Sequence, residues 1–185
     1  MRLVLRAVGW LRARGTLQNM RRAIFFCLAA VLTAGTHSRG SQLTPPDPSR
    51  IDTKHLTITT STSALTAAPG ERLSLYVDVA PKPKMHVYAP DQTDYIPIEL
   101  KGEPASSFKP QAIQYPAAEQ FFFAPLKETQ RVYSKPFRIT LPITLAQNAA
   151  LPLTIKGTVR YQACDDAICY LPQTVGVNWK VAVKK

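Results

Sequence analysis

Apolar residues occupy every second position in three long stretches of the chain. These stretches are residues 73–79, 137–145 and 175–183. A period of two residues is typical of a strand with one face in the core and the other in water. Shorter strands are predicted over residues 55–60, 84–88, 96–100 and 151–163, with turns at residues 69–70 and 81–83. Pro142 predicts an edge strand or a bulge, because proline donates no hydrogen bond to a sheet.

No segment after residue 36 has a sustained helical period. Many strands separated by turns predict an all-β fold, namely an immunoglobulin-like antiparallel β-sandwich over residues 51–185. A domain of roughly 135 residues buries about two thirds of its unfolded surface, so its core needs no disulfide.

Residues 1–35 have the pattern of a leader or signal peptide. Residues 1–22 carry six arginines and no acidic residue, and an apolar run over residues 23–35 ends in small residues. This run is shorter than the about 20 residues that cross a bilayer. An uncleaved inner-membrane anchor is the alternative, and translation from Met20 is a second open question. Residues 36–50, rich in Ser and Pro, predict a linker.

The net charge of +11 overstates how basic the folded part is. Without the six leader arginines, 17 of the 23 basic residues remain, compared with 12 acidic residues. The remaining lysines and arginines are scattered along the chain. Nucleic-acid binding is therefore not expected. An acidic partner surface would fit this mild surplus, although scattered solvated charge explains it equally well.

Cys164 and Cys169 are the two cysteines that remain if the leader, which contains Cys27, is removed. An exported protein reaches a compartment in which disulfides persist. A turn at Asp165-Asp166 would place the two cysteines opposite each other, with Cα atoms about 4.5–5.5 Å apart. Disulfides need about 4.4–6.8 Å between the Cα atoms, so the bridge can form.

A bridge across so short a loop contributes little to stability. A closed loop of about six residues corresponds to roughly 2 kcal/mol, against more than about 4 for a loop of sixty. The short loop therefore leaves a redox role and a structural role about equally supported at this point. A secreted immunoglobulin-like binding module with a structural disulfide is the alternative. Neighbouring carboxylates disfavour a thiolate, so the pair suits attack by another thiol, or activity only after docking.

Other kinds of chemistry find little support in the sequence. Two sulfurs without further ligands nearby fall short of a zinc site, and neither a metal nor a cofactor is expected. The three histidines, at positions 37, 55 and 86, accompany no serine-hydrolase or zinc-protease motif, which makes a hydrolase a distant third hypothesis.

The run Val-Arg-Tyr-Gln-Ala-Cys-Asp-Asp-Ala-Ile-Cys-Tyr-Leu-Pro-Gln, residues 159–173, resembles the active-site hairpin of the N-terminal periplasmic domain of the thiol:disulfide interchange protein DsbD. Its most specific parts are Tyr-Gln-x-Cys and Cys-Tyr-x-Pro. Residues 85–90 and 132–133 extend a weaker resemblance over residues 50–185. The resemblance implies an immunoglobulin-like fold in which Cys164 and Cys169 are the catalytic pair. Cys169 matches the cysteine that forms mixed disulfides with partners, and Cys164 matches the one that completes the bridge.

The resemblance also implies partners and a location. The family's domain accepts electrons from a thioredoxin-like domain that is reduced through a membrane domain. It passes them to periplasmic disulfide isomerases and cytochrome c maturation thioredoxins. For this chain we expect thioredoxin-fold periplasmic partners and a separate membrane protein as electron donor. Some members have one more residue between the cysteines, so the hairpin tip is tighter here.

A cap loop covers the cysteine pair in the family until a partner docks, and residues 118–127 are the candidate for it here, whereas His86 and Tyr88 match by position residues that line the family's site. Three consecutive phenylalanines cannot share one face of a strand, so at least one ring is exposed or covers something. Core packing with one surface ring is the alternative. A histidine at position 86 could titrate near neutrality, with an ordinary surface position as the alternative. The residues expected to line or cap the site are His86, Tyr88, Phe121, Phe122, Phe123, Leu126, Tyr161, Asp165, Asp166 and Tyr170.

Overall fold

The computed structural model describes residues 49–184, which form an all-β structure. The predicted leader and nearly all of the predicted linker lie outside the described residues. Residues 49–184 contain no helix that could cross a membrane. The strands are β1 (Arg50–Asp52), β2 (Leu56–Thr62), β3 (Thr66–Ala67), β4 (Arg72–Pro81), β5 (His86–Tyr88), β6 (Glu99–Gly102), β7 (Phe108–Pro110), β8 (Glu119–Phe123), β9 (Glu128–Tyr133), β10 (Phe137–Leu145), β11 (Leu153–Tyr161), β12 (Ala163–Cys164) and β13 (Gln173–Val183).

Two sheets share the main core. One sheet has the order β1-β2-β4-β10-β7, and the other has the order β3-β13-β11-β6. Buried side chains of both sheets belong to one cluster, among them Leu75, Ile139, Val159 and Trp179. The indole N–H of Trp179 on β13 donates to the carbonyl oxygen of Tyr76 on β4 across the sandwich, at 2.9 Å. The predicted all-β, immunoglobulin-like antiparallel sandwich is confirmed.

The three long alternating stretches are strands β4, β10 and β13, as predicted. Along β4 and β10, buried positions alternate with half-buried ones. Each fully buried aliphatic side chain contributes about 1.5–3 kcal/mol, so one face of each strand suffices to hold the sheets together. Hydrophobic alternation therefore accounts for the centre of the sandwich.

The four shorter predicted strands all begin later than expected, at residues 56, 86, 99 and 153, and the reason is visible for β5 and β6. Residue 84 lies in a turn with φ of 67°, closed by the bond from the Met85 N–H to the Lys82 carbonyl oxygen, so β5 starts at residue 86. Strand β6 starts at residue 99. Pro97 has no N–H for a sheet bond, and the Ile98 N–H donates to the Tyr88 carbonyl oxygen at 2.8 Å.

Pro142 lies beside a bulge. Strand β7 flanks β10 on the side away from β4, so the edge-strand alternative is wrong. Ile143 pairs with Pro110 and Thr140 pairs with Gln114. Between these two pairs, residues 111–113 lie opposite residues 141–142, so the segment that faces β10 has one extra residue, which is a bulge. Proline is tolerated beside a bulge, because the regular hydrogen bonding is interrupted there.

A third sheet, which the sequence patterns did not reveal, carries the cysteine hairpin. Its order is β12-β5-β9-β8. Strand β12 pairs with β5 at one edge, and β8 and β9 form a hairpin at the other. The cysteines and the predicted cap segment therefore belong to one small sheet.

Candidate functional site

Cys164 and Cys169 face each other across an isolated antiparallel bridge at the end of β12. Their sulfur atoms are 2.13 Å apart and their Cα atoms 4.0 Å apart, somewhat closer than the expected 4.5–5.5 Å. The Asp165 N–H donates to the Ile168 carbonyl oxygen and the Tyr170 N–H donates to the Ala163 carbonyl oxygen, each at 2.9 Å. The disulfide at the tip of a tight β-hairpin is formed as predicted.

The Asp165 carboxylate holds the loop between the cysteines. One oxygen accepts hydrogen bonds from the N–H groups of Ala167 and Ile168, both at 2.8 Å. The other accepts the Tyr170 hydroxyl at 2.8 Å. The backbone bonds from Ile168 and Ala167, followed by the tyrosine bond, lower the pKa of Asp165. Asp166 is exposed at the tip of the loop.

The two cysteines differ in exposure. Cys164 is 1% exposed, whereas Cys169 is exposed. Cys164 forms a small buried cluster with Tyr88 and Val132, against which Tyr95 and Phe121 pack. Of the two cysteines, Cys169 is therefore the one that solvent reaches.

Tyr88 is positioned to act on both sulfurs. Its hydroxyl oxygen lies 3.3 Å from each sulfur atom and, since disulfide sulfurs carry no hydrogen, the hydroxyl is the donor. Tyr88 lies on strand β5, and the Tyr88 ring stacks on that of Tyr95 with centroids 4.3 Å apart. The Tyr95 hydroxyl in turn donates to the Glu128 carboxylate. Burial raises the pKa of Tyr88 to about 12, so the hydroxyl keeps its proton at neutral pH.

His86 is buried beside the same bond. It is 3% exposed, so the surface alternative is wrong. His86 pairs directly with Cys164 across β5 and β12. Its ring lies 4.7 Å from that of Phe121 and 6.0 Å from that of Tyr88, measured between centroids. Burial lowers the pKa of His86, and the charges of Asp166 and Asp165 partly oppose this shift.

The cap candidates separate according to the two faces of their strand. Phe121 is half-buried against the cluster that contains Cys164, and Phe123 is buried. Phe122, between them, is 61% exposed, and Leu126 in the following turn is also exposed. Phe121 is therefore the ring of this segment that packs beside the cysteine cluster.

Tyr161 belongs to the main core. It is fully buried, and its hydroxyl donates to the Gln173 side-chain oxygen at 2.6 Å and lies 2.9 Å from the Thr53 hydroxyl. It thus joins the base of the hairpin to the sandwich. Two neighbours of the site were not predicted: Tyr95 and His55, whose buried ring stacks on Tyr170 at 4.4 Å. No pattern in the sequence marks either residue, because both contacts depend on tertiary packing.

The two hairpins also expose large apolar side chains. Ile168 and Leu171 flank the exposed cysteine, and Leu171 is 85% exposed. Phe122 and Leu126 are exposed on the β8–β9 hairpin. The part of the chain that the structure describes contains no group of three or more His, Cys, Asp or Glu residues that could hold a metal ion.

Comparison with known structures gives the fold. The chain is similar to the N-terminal periplasmic domain of ScsB from Proteus mirabilis at 13% identity and a TM-score of 0.54. The alignment covers 75% of this chain and 54% of the ScsB chain, so this chain spans about half of that length.

Two alignments with Neisseria meningitidis proteins have lower TM-scores. The first is with the reduced DsbD N-terminal domain, at 19% identity and a TM-score of 0.42 over 66% of this chain and 85% of that one. The second is with a complex of the DsbD and PilB N-terminal domains, at 17% identity and a TM-score of 0.41 over 57% and 73%.

Comparison with curated proteins found no match. The sequence profile of the family "Thiol:disulfide interchange protein DsbD, N-terminal" matches residues 53–179, which include both Cys164 and Cys169. The chain therefore belongs to the family of DsbD N-terminal domains.

Proposed function

We propose that this domain exchanges disulfides with thioredoxin-fold proteins and relays two electrons between them through Cys164 and Cys169. The observation that carries the proposal is the asymmetry of the bond. One sulfur belongs to an exposed residue, the other to a buried one, and the Tyr88 hydroxyl faces both. A purely structural crosslink needs neither the exposed cysteine nor the donor.

The exchange begins when a partner thiolate attacks the sulfur of Cys169. A bond forms between the partner and Cys169, the bond to Cys164 breaks, and its electron pair stays on Cys164 as a thiolate. The Tyr88 hydroxyl donates a hydrogen bond to this buried anion. A second partner thiol then displaces Cys169, leaving the partner oxidised and this domain as a dithiol. The reverse sequence reduces an oxidised acceptor, and 30 mV of potential difference corresponds to about 1.4 kcal/mol.

The exposed apolar side chains beside Cys169 suit a protein partner better than a small thiol. Leu171 and Ile168 would be covered when a partner's active-site surface approaches Cys169. The family and the predicted leader support a periplasmic location. Reduced thioredoxin-fold proteins, themselves supplied by a separate membrane electron donor, would be the source of electrons. Disulfide isomerases and cytochrome c maturation proteins would be the acceptors.

The half-buried Phe121 would act as the cap. Its ring packs against the cluster of Cys164 and against His86, so it hinders the access of small thiols to the buried cysteine until a docking protein displaces it. Phe121→Ala should increase the rate of reduction by glutathione about threefold or more. Phe122→Ala is the matched control, because its ring is exposed on the opposite face of the strand. Equal rates for both variants and the wild type would contradict the cap.

A trapping experiment tests the exchange itself. In a Cys27→Ser background, Cys164→Ser should accumulate a mixed disulfide with an oxidised thioredoxin-fold protein. Cys169→Ser should accumulate far less, because Cys164 is buried. The proposal fails if neither variant traps the partner and the reduction potential of the disulfide lies below about −300 mV, because the bond is then structural.

A further inference from the structure

His86 is a polar residue that the oxidised site leaves unused. The pairing of β5 with β12 sets it directly opposite Cys164, so both side chains project from the same face of the sheet. Within residues 49–184, its Nε2 has no hydrogen-bond partner although the residue is almost fully buried. A buried polar atom without a partner is destabilising. An apolar ring would fill the same space without this cost.

The unused nitrogen acquires a potential partner when the disulfide opens. Cys164 then carries a thiol, buried with Tyr88 and Val132 and directly opposite His86, and this thiol must lose its proton before it can attack again. Burial disfavours the thiolate, so a proton acceptor nearby would speed the attack. His86 is neutral at neutral pH, because burial lowers its pKa, and a neutral imidazole can take a proton.

The other titratable groups around Cys164 are less suited to this role. Tyr88 keeps its proton up to a pKa of about 12, so it donates rather than accepts. The Asp165 carboxylate is engaged by three hydrogen bonds that lower its pKa. Asp166 is exposed at the loop tip. Both carboxylates favour a positive charge on His86 and would stabilise the protonated ring while it exists. Phe121, whose ring centroid lies 4.7 Å from that of His86, carries no charge.

We propose that His86 takes the proton of the Cys164 thiol in the step that recloses the disulfide. This inference rests on the proposed exchange function. In the mixed disulfide between Cys169 and a partner, Nε2 of His86 accepts the Cys164 proton. The Cys164 thiolate attacks the Cys169 sulfur, the intramolecular bond forms, and the bond to the partner breaks. The electron pair leaves on the partner sulfur as a thiolate, and the imidazolium returns its proton to water. The cysteine pair loses two electrons and the partner gains them.

The reaction with 5,5′-dithiobis(2-nitrobenzoic acid) separates the two chemical steps. In the reduced full-length chain carrying Cys27→Ser, exposed Cys169 attacks first and releases one thionitrobenzoate. Cys164 then closes the disulfide and releases a second one. His86→Phe should slow the second release about 10- to 100-fold at pH 7. A well-positioned general base typically accelerates a reaction about 100-fold or more, so this expectation lies at the lower end of that range or below it. The first release should stay within about twofold of the wild type.

The pH profile distinguishes a base from a packing residue. In the wild type, the rate of the second release should rise with pH and level off near the lowered pKa of His86, which is below 6.5. In His86→Phe it should continue to rise into the alkaline range, following the thiolate fraction of Cys164. A variant that merely packs poorly would lower the rate at all pH values and keep the profile of the wild type.

Two further variants complete the test. His86→Gln keeps a neutral polar side chain but cannot act as a base, and it should behave like His86→Phe if the latter folds poorly. His55→Phe removes the other buried histidine and should leave both releases unchanged within about twofold. An unchanged second release in both His86 variants, or an equal effect of His55→Phe, would overturn the inference. Failure of the exchange function would appear separately, as an oxidised protein that thioredoxin does not reduce.

Discussion

Removal of the Tyr88 hydroxyl should slow the opening of the disulfide by a calculable factor. The hydroxyl lies 3.3 Å from the Cys164 sulfur, which becomes a buried thiolate when a thiol attacks Cys169. A hydrogen bond to a charged group is worth about 1.5–3 kcal/mol, whereas one to a neutral disulfide sulfur is worth much less. Tyr88→Phe should therefore destabilise the products of attack more than the oxidised protein. If the transition state carries most of that charge, reduction slows about 10- to 100-fold.

Dithiothreitol is a suitable reductant for this test, and acid quenching followed by maleimide labelling counts the thiols over time. Tyr95→Phe is the matched control, because it is the same substitution in the neighbouring ring, which stacks on Tyr88 with centroids 4.3 Å apart. The Tyr95 hydroxyl contacts Glu128 and not sulfur, so its loss should change the rate by less than about threefold. Reduction of Tyr88→Phe at the wild-type rate, or equal slowing in both variants, would refute the assigned role of the hydroxyl.

Three other outcomes are expected. Burial raises the pKa of Tyr88 and of Tyr133 to about 12 from 10.0. The stabilisation that comes from keeping these two hydroxyls protonated in the folded state is therefore complete below pH 10 and is lost between pH 10 and 12. Urea unfolding at a series of pH values across this range measures the loss. Gly157→Ala should lower the free energy of unfolding by about 1–3 kcal/mol, because its Cβ would lie 2.7 Å from a backbone oxygen of β6. Gly176→Ala on β13 meets no atom within 4 Å and should change it by less than about 0.5 kcal/mol in the same measurement. Asp165→Ala removes three hydrogen bonds that hold the cysteine loop in the shape that the disulfide needs. The thiol–disulfide equilibrium with glutathione should therefore shift toward the dithiol. An unchanged equilibrium would mean that these bonds do not preorganise the loop.

The sequence predicts the sandwich because its long strands carry their own signal. A strand buried on one face must alternate, and the apolar residues of β4, β10 and β13 do so over residues 73–79, 137–145 and 175–183. The short strands of the third sheet have no such signal. Strand β5 has three residues, all buried, and β12 has two. Their existence depends on which segments the tertiary fold brings together, and that information is absent from a local pattern.

The site was predicted unevenly for a related reason. The spacing of Cys164 and Cys169 implies the bridge, since a tight turn brings the two Cα atoms together. Alternation separates Phe122 from its neighbours, but it does not tell which face of the strand the core covers. The burial of His86 and the stacking of Tyr95 depend on partners distant in sequence. The disulfide was therefore predictable from the sequence, whereas the exposure of each residue around it was not.

The separation of the two clusters explains how the bond could open without unfolding the domain. The main core, which includes Trp179 and Tyr161, contains neither cysteine, and Cys164 lies in the separate small cluster with Tyr88 and Val132. The hairpin is also held by contacts that do not involve sulfur, namely the loop bonds of Asp165 and the pairing of β12 with β5. The closed loop itself corresponds to only about 2 kcal/mol of chain entropy. A double Cys→Ala variant should consequently remain folded, which is the property that a protein cycling between disulfide and dithiol requires.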